Sequence, residues 1–146
     1  MLRYVGIFEA CPDISGSCTV TIPDVPEVIT QGQGLADAKE MAADALELIL
    51  SSFIEKGRNL PAAKTRKGRN GHWIAPSALA QIKLALYVEF RKARISKADL
   101  ARKMGIAKQQ IDRLFDLQHS SRVERIELAF NALGTVISIS IEDAAA

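Results

Sequence analysis

Hydrophobic positions along the chain change period twice. Residues 2–9 are rich in β-formers, with Tyr4, Val5, Ile7 and Phe8. Cys11-Pro12-Asp13-Ile14-Ser15-Gly16 supplies turn chemistry. Residues 17–22 then alternate, with Cys18, Val20 and Ile22 on one face and Ser17, Thr19 and Thr21 on the other. Two such runs about a Pro/Asp/Gly loop predict a β-hairpin. Pro23-Asp24-Val25-Pro26 ends it, because proline cannot donate to a ladder. Thr30-Gln31-Gly32-Gln33-Gly34 is expected as a loop. From there the period turns helical. Leu35, Ala38, Ala42, Ala45, Ile49 and Phe53 share one stripe, Asp37, Glu40, Asp44 and Glu47 lie mostly off it, and Gly57 stands where a helix stop belongs. This helix is expected to cover the hairpin sheet.

Residues 56–71 hold glycines, Pro61 and a run of cations, and read as a mobile loop or linker. Trp73-Ile74-Ala75 is expected as a short strand closing the first domain. Pro76-Ser77 caps a helix that carries Leu79, Ile82, Leu86 and Phe90. The division is a first domain over residues 1–70, a strand or linker over 71–76, and an all-α domain over 77–146.

The stretch from Ser96 to Leu114 is the most informative. Ser96 with Asp99 forms a capping box. Leu100, Ala101 and Met104 make the inner face of a short helix, and small Ala101 lets a second helix cross close by. Gly105 suits the turn because it takes positive φ cheaply. Ile106 fills the angle between the helices, and Ile111, Leu114 and Phe115 anchor the second. The pattern is that of a helix-turn-helix, whose second helix enters the major groove N-terminal end first. Lys108, Gln109, Gln110, Asp112 and Arg113 point outward. Glutamine pairs bidentately with adenine and Arg or Lys with guanine, so Lys108, Gln109, Gln110 and Arg113 are the expected DNA contacts. Lys97, at the preceding helix start, is placed for a phosphate. The bland alternative is a helical hairpin with a solvated polar face. Ser121 and Glu124 read as a second capping box, opening a helix with Val123, Ile126, Phe130 and Leu133 inside and Gly134 as its stop. Finally, residues 136–141 alternate as a short strand. A lone strand after a helical bundle cannot satisfy its own backbone, so it is expected to pair with a second copy and form a homodimer suited to a palindromic operator.

Charge divides the chain further. The net charge is only +2, but residues 1–55 carry nine acidic and two basic side chains, a balance of −7. Residues 56–72 carry six basic and no acidic ones, and residues 73–134 stand at +5. Regions of opposite sign suit different partners. Asp13, Asp24 and Glu27, where the first domain's loops converge, are the expected contacts for a basic protein.

Other chemistry is thin. Composition is that of an ordinary folded protein, 48% hydrophobic and 25% charged, which excludes disordered, collagenous and disulfide-dense classes. There is no export signal and no apolar run long enough for a membrane, so a cytoplasmic protein without membrane contact is expected, with Cys11 and Cys18 as free thiols. Asp13, Asp24, Asp37 or Glu40 could hold magnesium in a nuclease, but turns and an outer helix face account for them. No triad, Cys/His pair or phosphate loop is present. Neither His72 nor His119 completes a zinc site. No enzyme activity, cofactor or metal is expected. A one-component repressor with a ligand-sensing first domain is the alternative function.

Taken together, the chain resembles the HicB antitoxins, in the subgroup with a C-terminal helix-turn-helix. The resemblance lies in the strand over residues 17–22, in Pro23-Asp24-Val25-Pro26-Glu27-Val28-Ile29-Thr30-Gln31-Gly32, in the helix with Ala38, Ala42, Ala45 and Leu46, and in Trp73-Ile74-Ala75-Pro76-Ser77. It continues through Leu100-Ala101-Arg102-Lys103-Met104-Gly105-Ile106 to Ile111-Asp112-Arg113-Leu114-Phe115. Gly34 stands where the family usually has Ser or Thr, and the hairpin lacks the family's common aromatics. The resemblance implies an α+β protein whose first domain is partly RNase H-like and without catalysis. It also implies a small basic RNase partner, a HicA-like toxin, and repression of the chain's own operon.

Overall fold

The computed structural model describes residues 1–10 and 16–144. Four strands, β1 (Tyr4–Ala10), β2 (Ser17–Thr21), β3 (Ile29–Gln33) and β4 (Gly71–Ile74), form one antiparallel sheet in the order β3-β2-β1-β4. Five helices accompany it: α1 (Gly34–Glu55), α2 (Ala78–Ala93), α3 (Lys97–Met104), α4 (Lys108–Phe115) and α5 (Val123–Ala132). The chain is therefore α+β. The hairpin forms as the alternation predicts, with Phe8 opposite Val20 and Ile7 opposite Thr21. The strand expected near Trp73 is β4, which adds to β1 with Tyr4 opposite Ile74.

Thr30-Gln31-Gly32-Gln33 is not the loop that its glycines suggest. It is the edge strand β3, paired with β2 through Cys18 opposite Gly32. Gly32 is there for closeness: a Cβ at that position would lie 2.5 Å from the Ala38 backbone. A glycine strand lets α1 press onto the sheet. The buried stripe of α1 is also turned from the one read in the sequence. Ala38, Ala42, Leu46, Leu50 and Phe53 face inward, whereas Leu35 is 44% exposed. The first four pack on Tyr4, Phe8, Val20 and Ile74 of the sheet and on Ile22 just past β2. Gly57 ends the helix as expected, at φ 63.

Residues 57–70 are not the free linker that their composition suggests. The Tyr4 hydroxyl donates to Pro61 O at 2.8 Å, and the Tyr87 hydroxyl donates to Arg58 O at 2.8 Å. Asp24 accepts the N–H groups of Lys64 and Thr65 at 3.0 and 2.9 Å. These bonds are made across 29 to 57 residues of sequence, too far for local pattern to reveal.

Helix α2 is the common wall of two cores. Ala80 and Leu84 pack into the sheet–α1 core, together with Leu117 from beyond α4. Leu86 and Tyr87 pack into the second core, among Leu100, Ile111, Leu114, Phe115, Ile126 and Phe130.

The start of α5 departs from the sequence-based expectation. Arg122 rather than Ser121 is the N-cap of α5, with no side-chain cap. Ser121 turns back instead, to Arg113 O and His119. Val123 is accordingly 45% exposed rather than inside, while Ile126, Ala129 and Phe130 are buried. Residues 135–144 form no strand in the single chain. The sheet consists of β1 to β4 alone among the described residues, and the tail is not paired into it. Val136, Ile139 and Ile141 are left 82%, 77% and 95% exposed.

Candidate nucleic-acid interface

Helix α3 starts where the capping box predicts. Ser96 Oγ accepts the Asp99 N–H at 3.0 Å, and Asp99 returns the bond to the Ser96 N–H at 3.1 Å. The Ser96 N–H and hydroxyl, with Arg102 beside them, hold the Asp99 carboxyl below the usual carboxylate range. Helix α3 stops at Gly105, which takes φ 65, and the Ile106 N–H reaches back to Ala101 O at 3.1 Å. A side chain there would sit in open space, so it is the left-handed backbone that calls for glycine.

Helix α4 is strongly two-sided. Ile111, Leu114 and Phe115 are buried, with Phe115 against the rings of Tyr87 and Phe90 at 6.1 and 5.0 Å. Lys108, Gln109, Gln110, Asp112 and Arg113 are all exposed. The four α4 residues expected to touch DNA thus share one accessible helix. Lys97 stands apart from them at the start of α3, and its ammonium is 2.8 Å from Asp112. That ion pair staples α3 to α4.

Sequence reading passed over the residue that holds α4 in place. Lys83 of α2 is wholly buried, and its Nζ donates to three backbone carbonyls, of Arg113 (2.9 Å), Asp116 (2.7 Å) and His119 (2.6 Å). These are the end of α4 and the turn beyond it, where the helix leaves carbonyls unpaired. Burial pushes the ammonium's pKa down, and Asp116 pulls it back. One signal was available: Lys83 lies four residues after Leu79 and three before Leu86, on the inward face of its helix.

Arg122 and Arg125 were also missed. From the N-cap and first turn of α5 they line an open groove of about 250 Å³ with Gln110 and Arg113 of α4 and with His119 and Ser120. Arg125 Nη1 lies 3.5 Å from Gln110 Oε1. Their three-residue spacing at the start of a helix is visible in the sequence, but its nearness to α4 is not.

In the sheet domain, Asp24 is committed to residues 57–70, a strap across the fold. Burial would raise its carboxyl, but the Thr65 N–H and hydroxyl and the Lys64 N–H and ammonium hold it below the ordinary value. Glu27 is exposed, and Asp13 lies outside the described residues. Asp37 accepts the Gln33 N–H at 2.7 Å, at the start of α1. Among the described residues no group of three or more His, Cys, Asp or Glu side chains gathers where a metal ion could sit. No described helix is long and apolar enough to cross a membrane.

Comparison with known proteins bears on this arrangement. The family model for the HicB-like antitoxins of bacterial toxin–antitoxin systems matches residues 9–85. Antitoxin HicB of Pseudomonas fluorescens (strain Pf0-1) is 33% identical over 129 residues, 88% of each chain. Antitoxin HicB of Escherichia coli (strain K12) is 32% identical over 138 residues, 94% of this chain and 98% of its own. Antitoxin HicB 2 of Photorhabdus laumondii is 36% identical over 133 residues, 91% of each. The chain belongs to the HicB-like antitoxin family.

Proposed function

We propose that the chain neutralises a small basic RNase, a HicA-like toxin, through its N-terminal sheet domain, and represses its own operon through α3 and α4 acting as a helix-turn-helix. The observation that carries the DNA reading is α4 itself. Its outer side offers Lys108, Gln109, Gln110 and Arg113 to solvent, while its inner side and its carbonyl end are clamped by apolar packing and Lys83. A rigid helix of this kind can present base-reading groups with little ordering cost. Lys97, paired with Asp112, stays at the helix start where a phosphate would lie. The four-stranded sheet with α1 on it fits the partial RNase H-like domain that the resemblance implied. With Asp24 occupied, the acidic surface left for a basic partner runs through Glu27 and the exposed Glu40 and Asp44 of α1. The exposed tail supports a homodimer, residues 136–141 pairing with a second copy; pairing of dimers into a larger assembly rests on no feature of the single chain.

The test is retention of DNA from upstream of the chain's gene, with Gln109→Ala and Arg113→Ala beside the wild type. Both should relax the choice between that duplex and a scrambled one; an unaltered footprint for both removes α4 as the reader. For the dimer, sedimentation of a chain ending at Gly134 should give a monomer, and an intact dimer would refute the tail's role. Copurification with a short basic protein encoded beside the gene separates the antitoxin from a ligand-sensing repressor.

A further inference from the structure

The groove between α4 and α5 is built as an anion site. Three arginines, Arg113 of α4 and Arg122 and Arg125 at the start of α5, line it, and no carboxylate is among the lining residues. No ion pair is formed by any of the three among the described residues. Guanidinium forks match phosphate oxygens two at a time, and the Ser120 side chain on the same wall adds a neutral donor.

Its position would ordinarily oppose an anion. The groove lies beside the carbonyl end of α4, where the helix dipole is negative. Lys83 removes that obstacle. It gathers the carbonyls of Arg113, Asp116 and His119 into the interior and sets a buried positive charge behind the groove wall. Ser121 turns its hydroxyl to Arg113 O as well, at 3.4 Å. The one contact that crosses the groove, Arg125 to Gln110 at 3.5 Å, is long and easily surrendered.

We propose that this groove seats a backbone phosphodiester of the bound DNA, held by Arg122 and Arg125, on the strand flanking the bases that α4 reads. This rests on the DNA-reading role of α4. It adds a second backbone contact to that of Lys97: Arg122 and Arg125 fix register and affinity, and carry no sequence choice.

The experiment is a fluorescence anisotropy titration of the full chain with two labelled duplexes, one from upstream of its gene and one scrambled, across a salt series. Arg122→Ala/Arg125→Ala should weaken binding to both duplexes by the same factor, roughly tenfold or more for two charged hydrogen-bonding groups. The slope of log affinity against log salt should fall by about 1, since one neutralised phosphate contributes ~0.9. Arg122→Lys/Arg125→Lys should keep most of the slope. Wild-type affinity and slope in the alanine variant would overturn the phosphate site while leaving α4 as reader. Loss confined to the upstream duplex would overturn it in favour of base reading. Failure of the wild type to bind either duplex would bring down the DNA role and the groove together. Both arginines are exposed, so an unchanged melting curve shows that the fold is intact.

Discussion

Single side chains in this protein do work that their residue type does not announce. Lys83 sits where a leucine would fit the helix pattern, yet its ammonium donates to three carbonyls at once, each of which also accepts one backbone N–H. Lys83→Met keeps the volume and removes the ammonium, leaving three carbonyls each one hydrogen bond short. A loss of about 2–3 kcal/mol is expected, read as a lower urea midpoint at unchanged slope. Tyr4 is a second case. Burial first, and Asp24 second, push its hydroxyl from 10.0 up to about 12. The folded chain therefore holds that proton after the unfolded chain has released it. The corresponding stability is whole below pH 10.0 and is lost as pH rises toward 12. Tyr4→Phe should cost about 1 kcal/mol at neutral pH through the bond to Pro61, and should flatten the decline measured above pH 10.0. An alkaline decline as steep as the wild type's would mean that other groups cause it.

At the scale of elements, capping and turn signals served well where both partners lie within a few residues. The Ser96–Asp99 box, the Gly105 turn and the Gly57 and Gly134 stops all stand where the residues imply. They fail where a distant surface decides. Gly32 belongs to a strand because β2 offers a ladder and α1 needs close approach, and neither fact is local. Gly32→Ala should consequently be severe: its methyl would have to displace the Ala38 backbone, which lies 2.5 Å from the added carbon. We expect a loss of about 3 kcal/mol or more, at the upper end for overpacking, seen as a lower melting temperature. A change below about 0.5 kcal/mol, the range of an ordinary surface substitution, would mean that α1 can shift freely on the sheet. Ser121 fails in the other sense, because its hydroxyl prefers the α4 end to its own helix.

Across the whole molecule, α2 and the strap bind the acidic first half to the basic second half more tightly than charge segregation suggests. The strap lies on the sheet domain through Tyr4 and Asp24 and on α2 through Tyr87. Its five cations, with Lys56 at the end of α1, therefore offset six of the seven net negative charges of residues 1–55. A basic partner would meet local acidic patches, such as that on α1, rather than a uniformly negative body. Because Ala80 and Leu84 serve one core while Leu86 and Tyr87 serve the other, unfolding is expected as one transition. Fluorescence of Trp73 in the sheet and far-ultraviolet circular dichroism of the helices should coincide; separate midpoints would show the halves melting independently.

By itself the sequence determined the hairpin, the run of helices, the capped pair α3–α4, the polar face of α4 and the resemblance to the antitoxin family, because each is written in periods and spacings of a few residues. Only the tertiary structure decided that a glycine-rich stretch is a strand, that Asp24 serves the strap, that Lys83 ties off α4, and that Arg122 and Arg125 stand beside Gln110 and Arg113. Those outcomes depend on which surfaces meet across tens of residues, and pattern along a chain carries no record of distance through space.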